Sequence, residues 1–307
     1  MSNTSLRSAY ATPIRRIGVD RGWRAVNLAP SFLVFAGLTL LPILNLLAMS
    51  FHDITWADGR SRWTFVGLRH YAALPEDTLL RAGLGNTIFF AIVSTAIQML
   101  LAFMLALFVS RIDRGRVLYR TLFILPILVP AIVIGAIWKL MLNYDFGLVN
   151  DFIGLFGALP RDWLGESTIA LWSVIVVDVW HWTPFCFLLL LAGFESLPQD
   201  VYEAARVDGV GPLAELRYLT LPLMLPTIAI TLAFRLILAF KVFDEVYLLT
   251  GGGPGTATEV LSFTIYRRFF TQDRAGYGAA MSLMAMLFVA LLAILAMGAA
   301  RRRQAGR

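Results

Sequence analysis

Two ionisable side chains of opposite charge lie deep inside apolar stretches of the sequence. Asp178 falls in an apolar segment over about residues 168–193, and Arg235 falls in another over about 223–246. At about 1.5 Å of helical rise per residue, Asp178 lies about 15 Å beyond Thr168 and Arg235 lies roughly 16 Å beyond Met224, so both are near mid-bilayer. Because an unpaired charge is costly there, we expect Asp178 and Arg235 to face one another. Contact of both with hydroxyl groups of a bound solute is an alternative, and the two roles can coexist.

Polar and aromatic residues follow Asp178 at helical spacing. Asp178, His181, Trp182 and Phe185 are related by i, i+3, i+4 and i+7, which places them on one helix face. Aromatic rings with polar tips suit the apolar faces and hydroxyl groups of a sugar. An ordinary packed helix face explains the same pattern equally well.

Further candidates for contact with a solute lie near the end of the 223–246 segment. Lys241 and Asp244 are one turn apart there, with Tyr247 a further turn on. Anchoring at a membrane interface explains Lys241 and Tyr247 equally well. Gln98 and Asn86 are weaker candidates, because ordinary packing between helices also accounts for polar side chains in such segments.

Residue sets for bond-making chemistry are not evident in the sequence. The three histidines form no HExxH or serine-histidine grouping, and the single cysteine, Cys186, has no partner for a disulfide or a CxxC pair. The glycine-rich run 251–255 lacks the Lys-Ser or Lys-Thr pair that a phosphate-binding loop requires. We therefore predict no catalytic residue, metal site or nucleotide site in this chain.

The composition is that of an integral membrane protein. Of 307 residues, 58% are hydrophobic and 15% are charged, with a mean hydropathy of +0.72, whereas soluble domains carry about 25% charged residues. The stretches 25–52, 82–110 and 275–300 contain no charged residue, and each exceeds the roughly 20 residues that cross a bilayer as a helix. The net charge of +6 is gathered at the ends of these stretches, so it does not indicate nucleic-acid binding.

The apolar pattern predicts an all-α integral membrane fold with six transmembrane helices. They cover about residues 28–51, 84–109, 120–142, 168–193, 223–246 and 276–298. We divide the chain into an N-terminal segment (1–27), a first helix with its following loop (28–83), a core domain (84–300) and a basic tail (301–307). The first 24 residues lack the pattern of a cleaved signal peptide and are expected to be retained.

Charge in the loops predicts the orientation of the chain. With the N-terminus inside, the inner segments hold fifteen Lys and Arg residues and the outer loops hold eight. Positive charge is retained on the cytoplasmic side, so both termini are expected to be cytoplasmic. The loop over 195–222, between the fourth and fifth helices, is then cytoplasmic.

The 195–222 loop has the pattern of a helix, a turn and a second helix. Ser196 is expected to cap a helix over 199–207 with Pro198 in its first turn, Asp208 and Gly209 break it, and a second helix runs from Pro212 to Leu219. Acidic residues outnumber basic ones here, which favours a protein partner over nucleic acid.

The same loop resembles the EAA-loop signature of binding-protein-dependent importer permeases. The matching positions are Glu203, Ala204, Ala205, Asp208, Gly209, Leu221, Pro222 and Pro226. Two other stretches, 182–193 and 249–254, resemble the carbohydrate branch of that family, and the glycine run places the chain with its maltose-type first permeases. A weaker match at 65–71 departs from the family at His70.

The resemblance implies a permease subunit of an ABC importer in a bacterial inner membrane. In that family a second homologous permease forms a heterodimer around one pathway, two ATPase subunits dock on the EAA loops, and a periplasmic solute-binding protein delivers a sugar or sugar-like solute. ATP and Mg²⁺ belong to the ATPases, so the resemblance implies no cofactor in this chain; membrane lipid surrounds it. An ion-coupled secondary transporter and a membrane enzyme are the alternatives from other classes.

Overall fold

The computed structural model describes residues 21–112 and 114–305. Most of the predicted N-terminal segment, residues 1–20, and residues 306–307 of the basic tail lie outside the described residues. The chain separates into two compact units, residues 1–48 and 49–307, and the site lies in the second. The orientation and the division into four segments stay predictions.

Five helices are long and apolar enough to cross a membrane among the described residues. They are α1 (Arg21–Ser50), α3 (Thr78–Arg111), α7 (Ala170–Glu195), α10 (Leu221–Ala239) and α13 (Ala275–Ala305). They correspond to five of the six predicted segments, and the all-α membrane fold is confirmed. Shorter helices connect them: α2 (Arg69–Ala73), α6 (Leu148–Gly154), α8 (Gln199–Val207), α9 (Pro212–Ala214), α11 (Asp244–Leu249) and α12 (Leu261–Tyr266).

The third predicted segment is a bent pair of helices. Helix α4 (Arg116–Ile124) runs into a 3₁₀ turn (Leu125–Leu128), and α5 (Ala131–Met141) follows at an angle of 91°. Pro126 and Pro130 lack the N–H that a continuous helix needs and restrict the residues before them. The described residues therefore contain five helices that could span a membrane, or six if this bent pair crosses as one span.

The fifth predicted segment is also broken. Helix α10 ends at Ala239, and α11 starts at Asp244 after a break that includes Phe243, whose backbone is not helical. The ring of Phe243 stacks on Tyr247 at 5.4 Å and meets Tyr266 edge-on at 5.3 Å. The prediction that Lys241 and Asp244 share a continuous helix was therefore wrong. The apolar pattern continues through residues 240–243, but the packing of Phe243 on Tyr247 and Tyr266 holds a turn there.

The core follows the seam between α3 and α7. Near one end of the seam Ala102 and Ala106 are fully buried against Cys186, Phe187 and Leu190. Small residues allow helix backbones to approach closely in a membrane protein. Since both helices carry polar residues further along, this close packing fixes how Gln98 and Asp178 meet.

A two-stranded sheet that was not predicted from the sequence follows α1. Strands β1 (His52–Ala57) and β2 (Arg60–Phe65) pair antiparallel with Ala57 opposite Arg60. Asp58 and Gly59 form the two-residue turn and both have positive φ, which a type I′ hairpin turn requires. The Asp-Gly pair was the available signal for this hairpin.

Candidate functional site

A buried three-residue network joins α3, α7 and α10. The Arg235 guanidinium donates hydrogen bonds to Asp178 through Nη2 and to Gln98 through Nε. The Gln98 amide nitrogen in turn donates to the carboxylate and the backbone carbonyl of Asp178, both at 2.9 Å. None of the three is more than 2% exposed. Each of the three side chains is bonded to the other two. These hydrogen bonds offset the free-energy cost of removing the two charges from water.

Trp182 extends this network by one helical turn. Its ring lies 5.5 Å from the guanidinium carbon of Arg235, a distance at which a cation is attracted to an aromatic face. Trp182 is half-buried while Asp178 is buried. The predicted helix face of α7 thus places one aromatic ring beside the ion pair.

A second buried acid, Glu245, pairs with His181. The Nδ1 atom of His181 lies 3.3 Å from a Glu245 carboxylate oxygen, and both side chains are buried. His181 and the neighbouring Asp244 were predicted pathway residues, whereas Glu245 was not. A second carboxylate in the same apolar segment was the signal that could have found it.

The break between α10 and α11 opens a small cavity beside both pairs. Its volume is about 90 Å³, and its polar lining comes from Asp178, Trp182, Arg235, Lys241, Asp244 and Glu245. Gln98 lies behind Arg235, His181 behind Glu245, and Tyr247 lies outside the lining with its side chain 47% exposed. The structure therefore brings five of the eight predicted pathway residues to one cavity wall.

The side chains of this lining can form reversible hydrogen bonds with a polar molecule in the cavity. Lys241 and Arg235 offer donors, the three carboxylates offer acceptors, and Trp182 offers a flat apolar surface. Among the described residues, no cluster of His, Cys, Asp or Glu is arranged to hold a metal ion.

Asn86, a weak pathway candidate, has a structural role instead. Its side-chain nitrogen donates to the carbonyls of Thr256, Ala257 and Glu259, at 2.9, 3.3 and 2.9 Å. Thr258 closes the same loop by donating to the carbonyl of Gly253 at 2.7 Å. These bonds tie the glycine-rich run to the first turns of α3.

The 195–222 loop forms a separate surface. Helix α8 spans the predicted range, but Ser196 ends α7 by donating to Gly193 at 2.7 Å, and Pro198 occupies the N-cap position. The expectation that Ser196 caps α8 was wrong, because its hydroxyl bonds backwards to the preceding turn.

The second helix of this loop does not end at Leu219. A π-helical stretch (Glu215–Thr220) continues α9 directly into α10, and the N–H of Leu221 bonds to the carbonyl of Leu216. The nitrogen of Pro222 carries no hydrogen and its ring crowds the carbonyl four residues earlier, which favours a widened turn over a stop. Leu221 and Pro222 therefore lie at the start of a spanning helix that is continuous with the loop.

The EAA positions of the loop lie around one turn. Glu203, Ala204 and Asp208 are exposed, Ala205 is buried, and Gly209 has a φ of +73°. A Cβ at Gly209 would meet nothing within 4 Å, so the left-handed backbone is what favours glycine there. Val207 and Leu213, 88% and 78% exposed, flank this turn with apolar surface.

Ion pairs join the loop to the ends of neighbouring helices. Arg111 at the end of α3 contacts Glu215 at 2.9 Å, and Arg116 of α4 contacts Glu195 at 2.8 Å.

Spanning helices, mid-helix charges beside a cavity, and an exposed helical loop at one end together define a helical membrane transport subunit.

Comparisons with known proteins agree with that class. Residues 98–304 match the family described as binding-protein-dependent transport system inner membrane component. The trehalose/maltose transport system permease MalF of Thermococcus litoralis is 34% identical over 276 residues, covering 90% of this chain and 92% of that protein. The sulfoquinovosyl glycerol permease SmoG of Agrobacterium fabrum is 29% identical and covers 86% and 85%. A chain of a bacterial alginate ABC transporter superposes with a TM-score of 0.81 at 22% identity, covering 92% and 96%.

The chain belongs to the family of inner-membrane components of binding-protein-dependent transport systems. It is a multi-pass inner-membrane permease subunit of an ABC importer, not an enzyme, and ATP is used by separate ATPase subunits. The family works with ATPases and a solute-binding protein. This finding favours the importer over the ion-coupled secondary transporter.

Proposed function

We propose that this chain is one of two homologous permeases of a carbohydrate importer, and that the solute passes the cavity beside Arg235. The observation that carries the proposal is the cavity lining, which combines an aromatic ring with charged donors and acceptors. Sugars present apolar ring faces and many hydroxyl groups, which such a lining can bind. The names of two relatives, which specify trehalose and maltose or sulfoquinovosyl glycerol, support a carbohydrate.

The size of the cavity supports a partner permease. Small-molecule pockets measure about 300–1,000 Å³, whereas this cavity measures about 90 Å³. One chain thus offers only one wall of a site that fits a sugar. A second, homologous permease facing the break between α10 and α11 supplies the other wall, and alternating access exposes the site to each side in turn.

The 195–222 loop is the proposed docking point for the ATPase subunit. Exposed Glu203, Ala204 and Asp208 lie beside the exposed apolar side chains of Val207 and Leu213. This combination of a small-residue helix face and apolar surface suits a protein partner. Leu221 and Pro222 connect the dock to α10, and therefore to Arg235, without a break in the helix.

Two measurements test the proposal. The ligand retained by the cognate solute-binding protein on purification should be a sugar or sugar derivative; an amino acid or a peptide would exclude the carbohydrate assignment. In membrane vesicles, Lys241→Gln and Asp244→Asn should lower uptake severalfold with the complex assembled. The control is Lys139→Gln, since Lys139 is an exposed lysine of α5 away from the cavity. Unchanged uptake in both cavity variants would show that the solute passes elsewhere.

A further inference from the structure

The β1–β2 hairpin has two chemically distinct faces. Residues that pair across the hairpin point to the same side, so the register divides the side chains into two sets. We call one set the aromatic face; it contains His52, Ile54, Trp56, Ser61, Trp63 and Phe65. The other set, the polar face, contains Asp53, Thr55, Arg60, Arg62 and Thr64.

Most of the aromatic face is uncovered. Trp56, Trp63 and Phe65 are 68%, 43% and 71% exposed, and Ile54 is the one buried residue of this face. A two-stranded sheet alone is marginal in water. The His52 ring contacts Trp63 and Phe65 edge-on at 5.6 and 5.4 Å, but Trp56, Trp63 and Phe65 still leave apolar surface in contact with solvent. The face therefore needs a covering surface in the assembled protein.

The hairpin lies at the ends of spanning helices. Strand β1 begins two residues after α1 ends at Ser50, so its base lies within roughly 7 Å of that helix end. The carbonyl of His52 also packs so closely on the first turn of α13 that a Cβ at Gly276 would not fit. Since α13 is long and apolar enough to cross a membrane, we expect the base of the hairpin near the level where the hydrocarbon ends and the headgroups begin.

We propose that the aromatic face lies on the bilayer and that lipid headgroups and upper acyl chains cover it. Tryptophan is enriched at this depth because its ring is apolar and its N–H is polar. The Trp63 N–H is already satisfied by the Ser61 hydroxyl at 3.3 Å on the same face. On the polar face, the long side chains of Arg60 and Arg62 are exposed and can reach lipid phosphates while their stems follow the interface.

A solute-binding protein is a less suitable occupant of this face. It is a separate partner in this family, and interfaces between partners that separate are about as polar as ordinary surface. The exposed rings of two tryptophans and a phenylalanine would return to water at each release. Lipid remains in place throughout the cycle and avoids that exposure.

Spin labels on neighbouring residues of opposite faces test the proposal. The full chain, with Cys186→Ala and purified with its partner subunits, would carry single cysteines as Trp56→Cys or Thr55→Cys, in vesicles of phosphatidylcholine and phosphatidylglycerol. Oxygen partitions into lipid and a nickel chelate stays in water. The ratio of oxygen to nickel collision rates should be severalfold higher at residue 56 than at residue 55.

A second pair of labels keeps both tryptophans in place. Phe65→Cys and Thr64→Cys lie on the aromatic and polar faces at the base of the hairpin, and should show the same difference. Equal ratios on the two faces would overturn the proposal. Labels at 56 and 65 that are shielded from both reagents would also overturn it, because a protein would then cover the face.

Discussion

Arg235 of α10 and Asp178 of α7 form an ion pair in which the two side chains are 1% and 2% exposed. Gln98 bonds to both residues, so neither charge depends on a single contact. Removing one charge strands the other in a buried site, whereas removing both leaves a polar but neutral pair.

We expect Asp178→Asn or Arg235→Gln alone to lower stability by about 3–5 kcal/mol, and the double variant to lose less than the sum. Assembled complex after detergent extraction, thermal melting and uptake would be measured. The exposed pair Arg116 and Glu195 is the control, since such pairs contribute about 0–1 kcal/mol. Additive losses at 178 and 235 would contradict direct coupling.

Gly209 and Gly211 offer a matched test of the loop turn. A Cβ meets nothing within 4 Å at either position, but only Gly209 has positive φ. Gly209→Ala should therefore cost about 1–2 kcal/mol locally and lower transport and ATPase copurification, while Gly211→Ala should be near neutral. Equal effects of the two variants would mean that the left-handed turn does not matter for docking.

Glu203→Lys should weaken ATPase docking without affecting insertion. Glu203 is exposed on α8, so the change reverses a charge on the proposed dock and leaves the helix intact. We expect normal amounts of the chain in the membrane, with ATPase copurification and uptake reduced severalfold. Normal copurification together with normal uptake would remove Glu203 from the contact.

The predicted orientation places the glycine-rich loop outside and the loop between α3 and α4 inside. Thr256 and Arg114 are exposed in these two loops. In a Cys186→Ala background, Thr256→Cys should react with an impermeant thiol reagent added to intact cells, and Arg114→Cys should react only after lysis. The opposite labelling pattern would reverse the orientation.

Asp77 should give the start of α3 a pH-dependent stability. Burial alone would raise the pKa of its carboxyl, but hydrogen bonds from the Leu80 N–H, Arg268 and Tyr277 outweigh burial and hold the pKa below 3.8. The stabilisation is therefore complete above about pH 4 and is lost as the pH falls through the lowered folded value. Asp77→Asn should lower the melting temperature at pH 7, and the difference from wild type should shrink below pH 3.8; Glu76→Gln, an exposed neighbour, is the control.

The sequence allowed the meeting of Asp178 and Arg235 to be anticipated because helical rise is fixed and the depth of a residue can be counted. The same reasoning was insufficient for Lys241 and Asp244, where the packing of Phe243 on Tyr247 and Tyr266 breaks the helix. Local spacing carries no information about such partners.

Asn86 illustrates the same difficulty. Its acceptors lie about 170 residues away in the chain, so nothing near it in the sequence shows that it holds the glycine-rich loop. The family's motifs located the 195–222 loop, but only the backbone showed that the loop and α10 form one helix. The features that could not be predicted from the sequence therefore depend mostly on contacts between residues that are far apart in the chain.

The unbroken helix from Pro212 to Ala239 can act as a lever. Arg235 lies 23 residues beyond Pro212, a distance of about 35 Å along the axis. A tilt of about 5° at the loop end, pivoting there, displaces Arg235 by about 3 Å, which is the length of a hydrogen bond. A small rotation of the loop, transmitted along this helix, is therefore enough to exchange the partners of the guanidinium.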